Sequence, residues 1–442
     1  MLTKINTMKR YVTLVLVLLI SYSSFASFSN VPQAYLVSAT LVKQHTKKSL
    51  HALWKRHHIP TIALPIRNDV DIYEVIYKAP WIDSSTWINC SGIAYVPKTK
   101  GKKVPTFMFG HGTQISKARD ITDEDSQQGV CLGFAADGYL ALYPDYYGMG
   151  KGDGHHLYQH AWSEAMSYVY MLYAVEELKK QLNYETNGQL FLTGYSQGGH
   201  SSFAAQKYIE ALHDPRFKVT ATSPMSGAYD MTGEQAKYMF VKYPKPFYLP
   251  YLIISYQLAY HIFNDPNVYN AFRSPYDTLL PGFFGEVRSK TYDDLDKVMP
   301  AVPSDVVKPE LVERFKNDSN FVFLKRLQEN NLTDWAPEAP VQLCYCKGDR
   351  EVNYKNSEVA YEKISKAGKK DIKLLNLSDH LDHNTCAAFA VLSTKAFFDR
   401  FKKNGENPKL KDLTPFKKWV ASLVKKKIEK QYMADGKDHA YM

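Results

Sequence analysis

The 442-residue sequence predicts an α/β fold, with a mostly parallel central sheet, helices on both faces and an inserted, largely helical cap. Three observations lead there. Short apolar runs of strand length alternate with helical patterns from about residue 72 to 225, as expected of parallel strands joined by crossover helices. The alternation stops over 229–339, where aromatics and prolines are dense. It resumes at 341–346 and 372–377. With 45% hydrophobic and 14% aromatic residues, the chain can bury a large core, and its length suits one domain with an insertion or two domains.

Residues 1–26 read as an export signal. Lys4, Lys9 and Arg10 precede an apolar run over 11–20, and Ser24-Phe25-Ala26 places small residues where a signal peptidase reads them. Cleavage is expected after Ala26, which makes the product secreted or periplasmic. An uncleaved anchor is the rival reading, but the run is about half the ~20 apolar residues a span requires. No Cys follows the cut, so no lipid anchor is indicated. No other segment approaches that length, and the mature protein is expected to be soluble or peripheral.

Residues 27–228 are read as the first part of the core. A helical region is expected over 36–58, with Leu50, Leu53 and Trp54 at helix spacing. Strands are expected over 72–77, 87–96, 104–109 and 139–143, then a helix over 163–182, a strand over 190–192, a helix over 199–212 and a strand over 219–225. Residues 229–339 are the expected cap, with helical spacing around 251–263. Residues 340–401 complete the core, ending in a helix over 385–401. The tail, 402–442, opens an amphipathic helix at Thr414 and Pro415. Its apolar stripe is expected to pack on the core, with peripheral contact to anionic lipid as the alternative.

A net charge of +10 suggests a polyanionic partner until it is divided along the chain. The signal carries three positive charges and no acid, and 402–442 carries 11 Lys against 5 acids, which leaves the body near +1. Such a body has no electrostatic footprint for nucleic acid. Five cysteines permit at most two bridges. Cys344, Cys346 and Cys386 lie close to the residues singled out below, so one bridge is expected among them. Cys344-x-Cys346 lacks a second pair to complete a metal site.

Chemistry enters at Gly194-Tyr195-Ser196-Gln197-Gly198, between a strand pattern and a helical one. This is the order of a nucleophile elbow. The bare pentapeptide arises by chance in roughly one chain of this length in seven, so its surroundings must decide. A serine hydroxyl needs a base within reach and a third group to orient that base. Asp349 follows the strand over 341–346 and is the expected acid, with Glu351 in reserve. His383 precedes the last long helix and is the expected base, with His380 the competitor. Asp379 and Asp382 are read as caps or supporting carboxylates. The oxyanion of acyl transfer needs donors already aimed at it. The backbone N–H groups of Gln197 and of Thr113, in Gly110-His111-Gly112-Thr113, are assigned that part.

Two clusters are set aside. His155, His156 and His160 lack the Glu of a helical metal pair. Gly148, Gly150, Gly152 and Gly154 lack the Lys and Ser/Thr of a phosphate loop and read as a turn.

With these residues in place, the chain resembles the α/β-hydrolase superfamily and, within it, the secretory lipase and esterase branch. The matching pieces are Phe109-Gly110-His111-Gly112-Thr113, residues 138–150, the elbow with Gly199, Lys347-Gly348-Asp349 and His383 leading a helix. The resemblance implies an exported, cofactor-free enzyme that cleaves carboxylic esters, often of lipids, beneath a cap. A serine peptidase on the same scaffold, and a catalytically inactive protein that binds lipid or another partner, are the alternatives. The basic tail and the crowded His380/His383 segment depart from the pattern.

Overall fold

A computed structural model describes residues 31–61, 63–284 and 292–402, together with 426, 429 and 430. The signal over 1–26 and the tail helix opening at Thr414 lie outside the described residues. One nine-stranded sheet organises the chain, in the order β1-β2-β3-β5-β4-β6-β7-β8-β9. Its strands are β1 Leu36–His45, β2 Val70–Pro80, β3 Trp87–Pro97, β4 Val104–Gly110, β5 Leu140–Pro144, β6 Thr186–Tyr195, β7 Val219–Met225, β8 Val341–Tyr345 and β9 Ile372–Asn376. The first three pair antiparallel, as does β3 with β5. The pairs from β5 through β4, β6, β7 and β8 to β9 are parallel.

Side chains along the central strands alternate between the two faces, as a period of two requires. Met108, Leu140, Leu142, Leu190 and Leu192 join one buried cluster. Phe107, Phe109, Ala141, Tyr143 and Phe191 join the other. Helices α1 (Lys47–Arg56) and α2 (Ser126–Ala136) cover the second face, and α3 (Ala161–Gln181) and α4 (Gln197–Leu212) cover the first. Because both faces are covered, the parallel strands read as nearly continuous apolar runs.

The expected helix over 36–58 is only half correct. Residues 47–56 form α1, held at its start by the Thr46 hydroxyl accepting from Ser49 N, but Leu36–His45 is strand β1 at the sheet edge. Most of β1 is exposed, so the sequence carries no apolar alternation there to mark a strand. What makes it a strand is its pairing with β2, a long-range contact.

Between β7 and β8 the described residues add no strand to the sheet. They form α5 (Tyr248–Tyr260), α6 (Pro309–Asn317), α7 (Val322–Glu329) and shorter helical turns. Their apolar residues build a third cluster, which also takes in Ile115, Tyr158 and Val352. Helix α8 (Lys355–Lys366) and helix α9 (His383–Asp399) complete the chain's described body. Among the described residues no helix is long and apolar enough to cross a membrane.

Candidate active site

Strand β6 ends at Tyr195 and helix α4 begins at Gln197, so Ser196 alone makes the turn. It does so with φ 61° and ψ −121°, a backbone conformation that costs a side-chain-bearing residue about 1–3 kcal/mol. Its N–H donates to Met225 O at 3.0 Å, which ties the turn to β7. A sharp elbow also needs an empty flank. A Cβ at Gly198 would lie 1.9 Å from Gly110 O, so any residue but glycine there would push α4 away from β4.

The same approach brings in the early loop. Gly110 pairs with Gly194, so the chain leaves β4 alongside the elbow. A Cβ placed on Gly112 would be 3.8 Å from Ser196 Cβ, and Gly112 N–H donates to Gln127 Oε1 at 2.6 Å. Thr113 is held on both sides. Its carbonyl accepts from the Tyr292 hydroxyl, and its Oγ1 bonds the Tyr158 hydroxyl at 3.2 Å. Gln197 is the first residue of α4, so its N–H has no acceptor within the helix. Gln197 thus follows Ser196 directly, and Thr113 follows the glycine that approaches it.

The expected acid and base meet. Asp349 Oδ2 lies 2.7 Å from His383 Nδ1, with both side chains buried. Asp349 Oδ1 accepts from the main-chain N–H groups of Glu351 and Val352, each at 2.9 Å, so the carboxylate is fixed on one side and bonded to the ring on the other. Burial alone would push the imidazole down. The Asp349 charge and hydrogen bond, with Glu351 and Asp382 behind them, outweigh it and leave His383 above its ordinary value. The His383 ring centre is 4.9 Å from that of Tyr195, and its carbonyl accepts from the Tyr195 hydroxyl. The base therefore sits against the residue preceding Ser196.

Local sequence explains these positions. Asp382 caps α9, its carboxylate accepting from Thr385 N at 2.8 Å, and His383 occupies the first helical position. Gly348 lets the acid loop touch the base loop, since a Cβ there would be 2.4 Å from His380 O. A disulfide between Cys346 and Cys386 fastens the same two segments, while Cys90, Cys131 and Cys344 are free and buried. The competitors are engaged elsewhere. Glu351 accepts from the Tyr248 hydroxyl at 3.3 Å through its carboxylate, and His380 is exposed.

Ser196 opens into a pocket of about 50 Å³ whose walls include Tyr158, Gln159, Tyr243, Tyr248, Met239 and Leu249. Most of this wall comes from the helical segment between β7 and β8. The histidines set aside earlier have other partners. His160 caps α3 through Nδ1 toward Ser163, and burial, then the neighbouring His200, pushes it down to about 3. His156 faces Tyr147 O and the Gln197 side chain. The glycine-rich turn follows Asp145, which Arg119 grips at 2.6 and 2.8 Å.

No protein-family model and no curated protein matches the chain, but solved structures do. A Legionella pneumophila protein described as a hydrolase superposes with a TM-score of 0.75 at 26% identity, over 85% of this chain and 100% of its own. The rice cell wall degrading esterase LipA from Xanthomonas oryzae, in a ligand-bound form, gives 0.71 at 24% over 83% and 96%. Candida antarctica lipase A in its closed state gives 0.64 at 13% over 88% and 86%. This is an α/β-hydrolase fold.

Within this fold, sequence reasoning overlooked one group of buried polar residues beside the elbow, Glu164, His200 and Asn330. Glu164 could have been noticed as the lone acid in the apolar stretch from Ala161 to Val175 of α3. Nothing local identifies its side-chain partners Gln197 and His200, which lie 33 and 36 positions away.

Proposed function

We propose that the protein is a serine hydrolase of carboxylic esters. The observation that carries this reading is the 2.7 Å contact between Asp349 and His383, beside a serine held in a strained elbow at the mouth of a pocket. In this reading Ser196 Oγ attacks the ester carbonyl while His383 Nε2 takes its proton. The N–H groups of Gln197 and Thr113 hold the oxyanion, and the proton then passes to the departing alcohol. Water activated by His383 releases the acid from the acyl-enzyme, and Asp349 keeps the imidazole oriented and stabilises its charged form. The position of Gln197 at the start of α4 adds the favourable end of the helix dipole.

The reading requires neither metal nor cofactor. The helical segment over 229–339 serves as a cap whose apolar, aromatic wall favours an acyl group over a charged one. The reading also includes export, with cleavage after Ala26 into an extracellular or periplasmic space where the Cys346–Cys386 bridge would persist. The amino terminus of the purified mature protein checks that part, and a chain still beginning at Met1 would remove it.

The mechanism is tested by Ser196→Ala. Hydrolysis of a p-nitrophenyl acyl ester is expected to fall by at least about 10³, leaving the residue that oxyanion donors and binding alone supply. Undiminished hydrolysis would end the proposal.

A further inference from the structure

Behind the elbow, on the side away from His383, lies a buried polar cluster that the proposed mechanism does not use. At its centre is Glu164 on α3, 1% exposed. Its Oε1 accepts from the Gln197 side-chain amide at 2.8 Å and from Gln159 N–H at 3.2 Å. Its Oε2 lies 2.7 Å from His200 Nδ1. The opposite nitrogen of His200 faces Asn330 O at 3.2 Å, so the ring is held between Glu164 and the Asn330 carbonyl. Gln197 Nε2 also lies 2.8 Å from His156 Nε2, whose Nδ1 faces Tyr147 O at 3.2 Å. An amide turned the other way would place its oxygen against Glu164, so the nitrogen must face the carboxylate.

Gln197 and His200 are three residues apart, and so share one side of the first turn of α4. Gln159 is a wall residue of the pocket held at φ 56°, a conformation that needs an anchor in a residue with a side chain. One carboxylate therefore holds both the turn that presents an oxyanion donor and the strained wall beside it. We propose that Glu164 is a positioning residue for ester hydrolysis, which fixes the direction of the Gln197 main-chain N–H through the Gln197 and His200 side chains. This rests on the ester-hydrolase reading above. An oxyanion donor is worth about 10²–10³ in turnover when well aimed, and a donor free to tilt keeps only part of that.

The experiment compares the wild type with Glu164→Ala, Glu164→Gln and Gln197→Met on p-nitrophenyl butyrate. Gln197→Met removes the amide and leaves both the main-chain N–H and the Glu164–His200 contact, so it tests the same clamp with His200 still paired, at the cost of the His156 Nε2 contact. Rates are expressed per serine labelled to completion by a fluorophosphonate, which removes misfolded protein from the comparison. Glu164→Ala and Gln197→Met are expected to lower kcat by about 10- to 100-fold with KM within about twofold, and Glu164→Gln, which keeps an acceptor for Gln197, is expected to lose less. A trifluoromethyl ketone inhibitor, whose adduct carries the oxyanion, is expected to weaken by the same factor as kcat/KM. Unchanged kcat in Gln197→Met, or a rise in KM that accounts for the loss, would overturn the proposal. A wild type that cleaves no acyl ester would instead sink the reading on which it rests.

Discussion

Asp349 makes three hydrogen bonds at once, two from main-chain N–H groups and one to the His383 ring, so neither the acid nor the ring it orients has freedom to turn. The raised His383 sets the pH dependence. A base must be neutral to accept a proton, and a group that holds its proton more tightly is neutral only at higher pH. The acid limb of kcat/KM is therefore expected above the ordinary imidazole value of about 6.5. Asp349→Asn removes the charge that raises it and the acceptor that selects the tautomer. A pH profile on a soluble ester should show that limb moved to lower pH and a loss in kcat of about 10⁴. The elbow at Ser196 and the meeting of Asp349 with His383 were legible in the sequence because each residue follows a strand and the chain order restricts the choice. Glu164 was not, because its role depends on α3 and α4 lying side by side.

Between residue and fold, the acid loop after β8 and the start of α9 are joined by the Cys346–Cys386 bridge, 40 positions apart in sequence. Closing a loop of that length removes roughly 4 kcal/mol of chain entropy from the unfolded state in the simplest model. The paired variant Cys346→Ser with Cys386→Ser is expected to unfold several degrees lower by calorimetry. Its kcat should also fall below the melting range, because the covalent tie between the two segments that would carry acid and base is then gone. The sequence narrowed the bridge to three cysteines and went no further, since which two approach each other is fixed by the packing of α9 against β8. Strand β1 shows the same limit more sharply. Its residues carry no alternation of their own, and the helix expected there gave way to pairing with β2.

Across the whole molecule, the break in alternation after β7 was visible in the sequence, but the pocket it covers was not, because the walls come from segments far apart. Met239 and Leu249 belong to two cavities, the one at Ser196 and an apolar one of about 20 Å³ lined by Ile253, Phe263, Val307 and Phe315. At about 10–15 Å³ per water-sized group, the pocket of about 50 Å³ holds roughly three to five such groups, which suits a short acyl chain. Met239→Ala is expected to join the cavities and move the optimum of a graded p-nitrophenyl ester series to longer chains. An unchanged optimum would show that the two cavities do not act as one. The strand order has a further consequence, in time rather than space. Thr113 and Ser196 stand beside β4 and β6 near the middle of the sheet, whereas Asp349 and His383 follow the last two strands at its edge. Under the proposed mechanism, a chain emerging from the ribosome can close the elbow while still lacking both acid and base, so it would stay chemically inert until nearly all of it has been made.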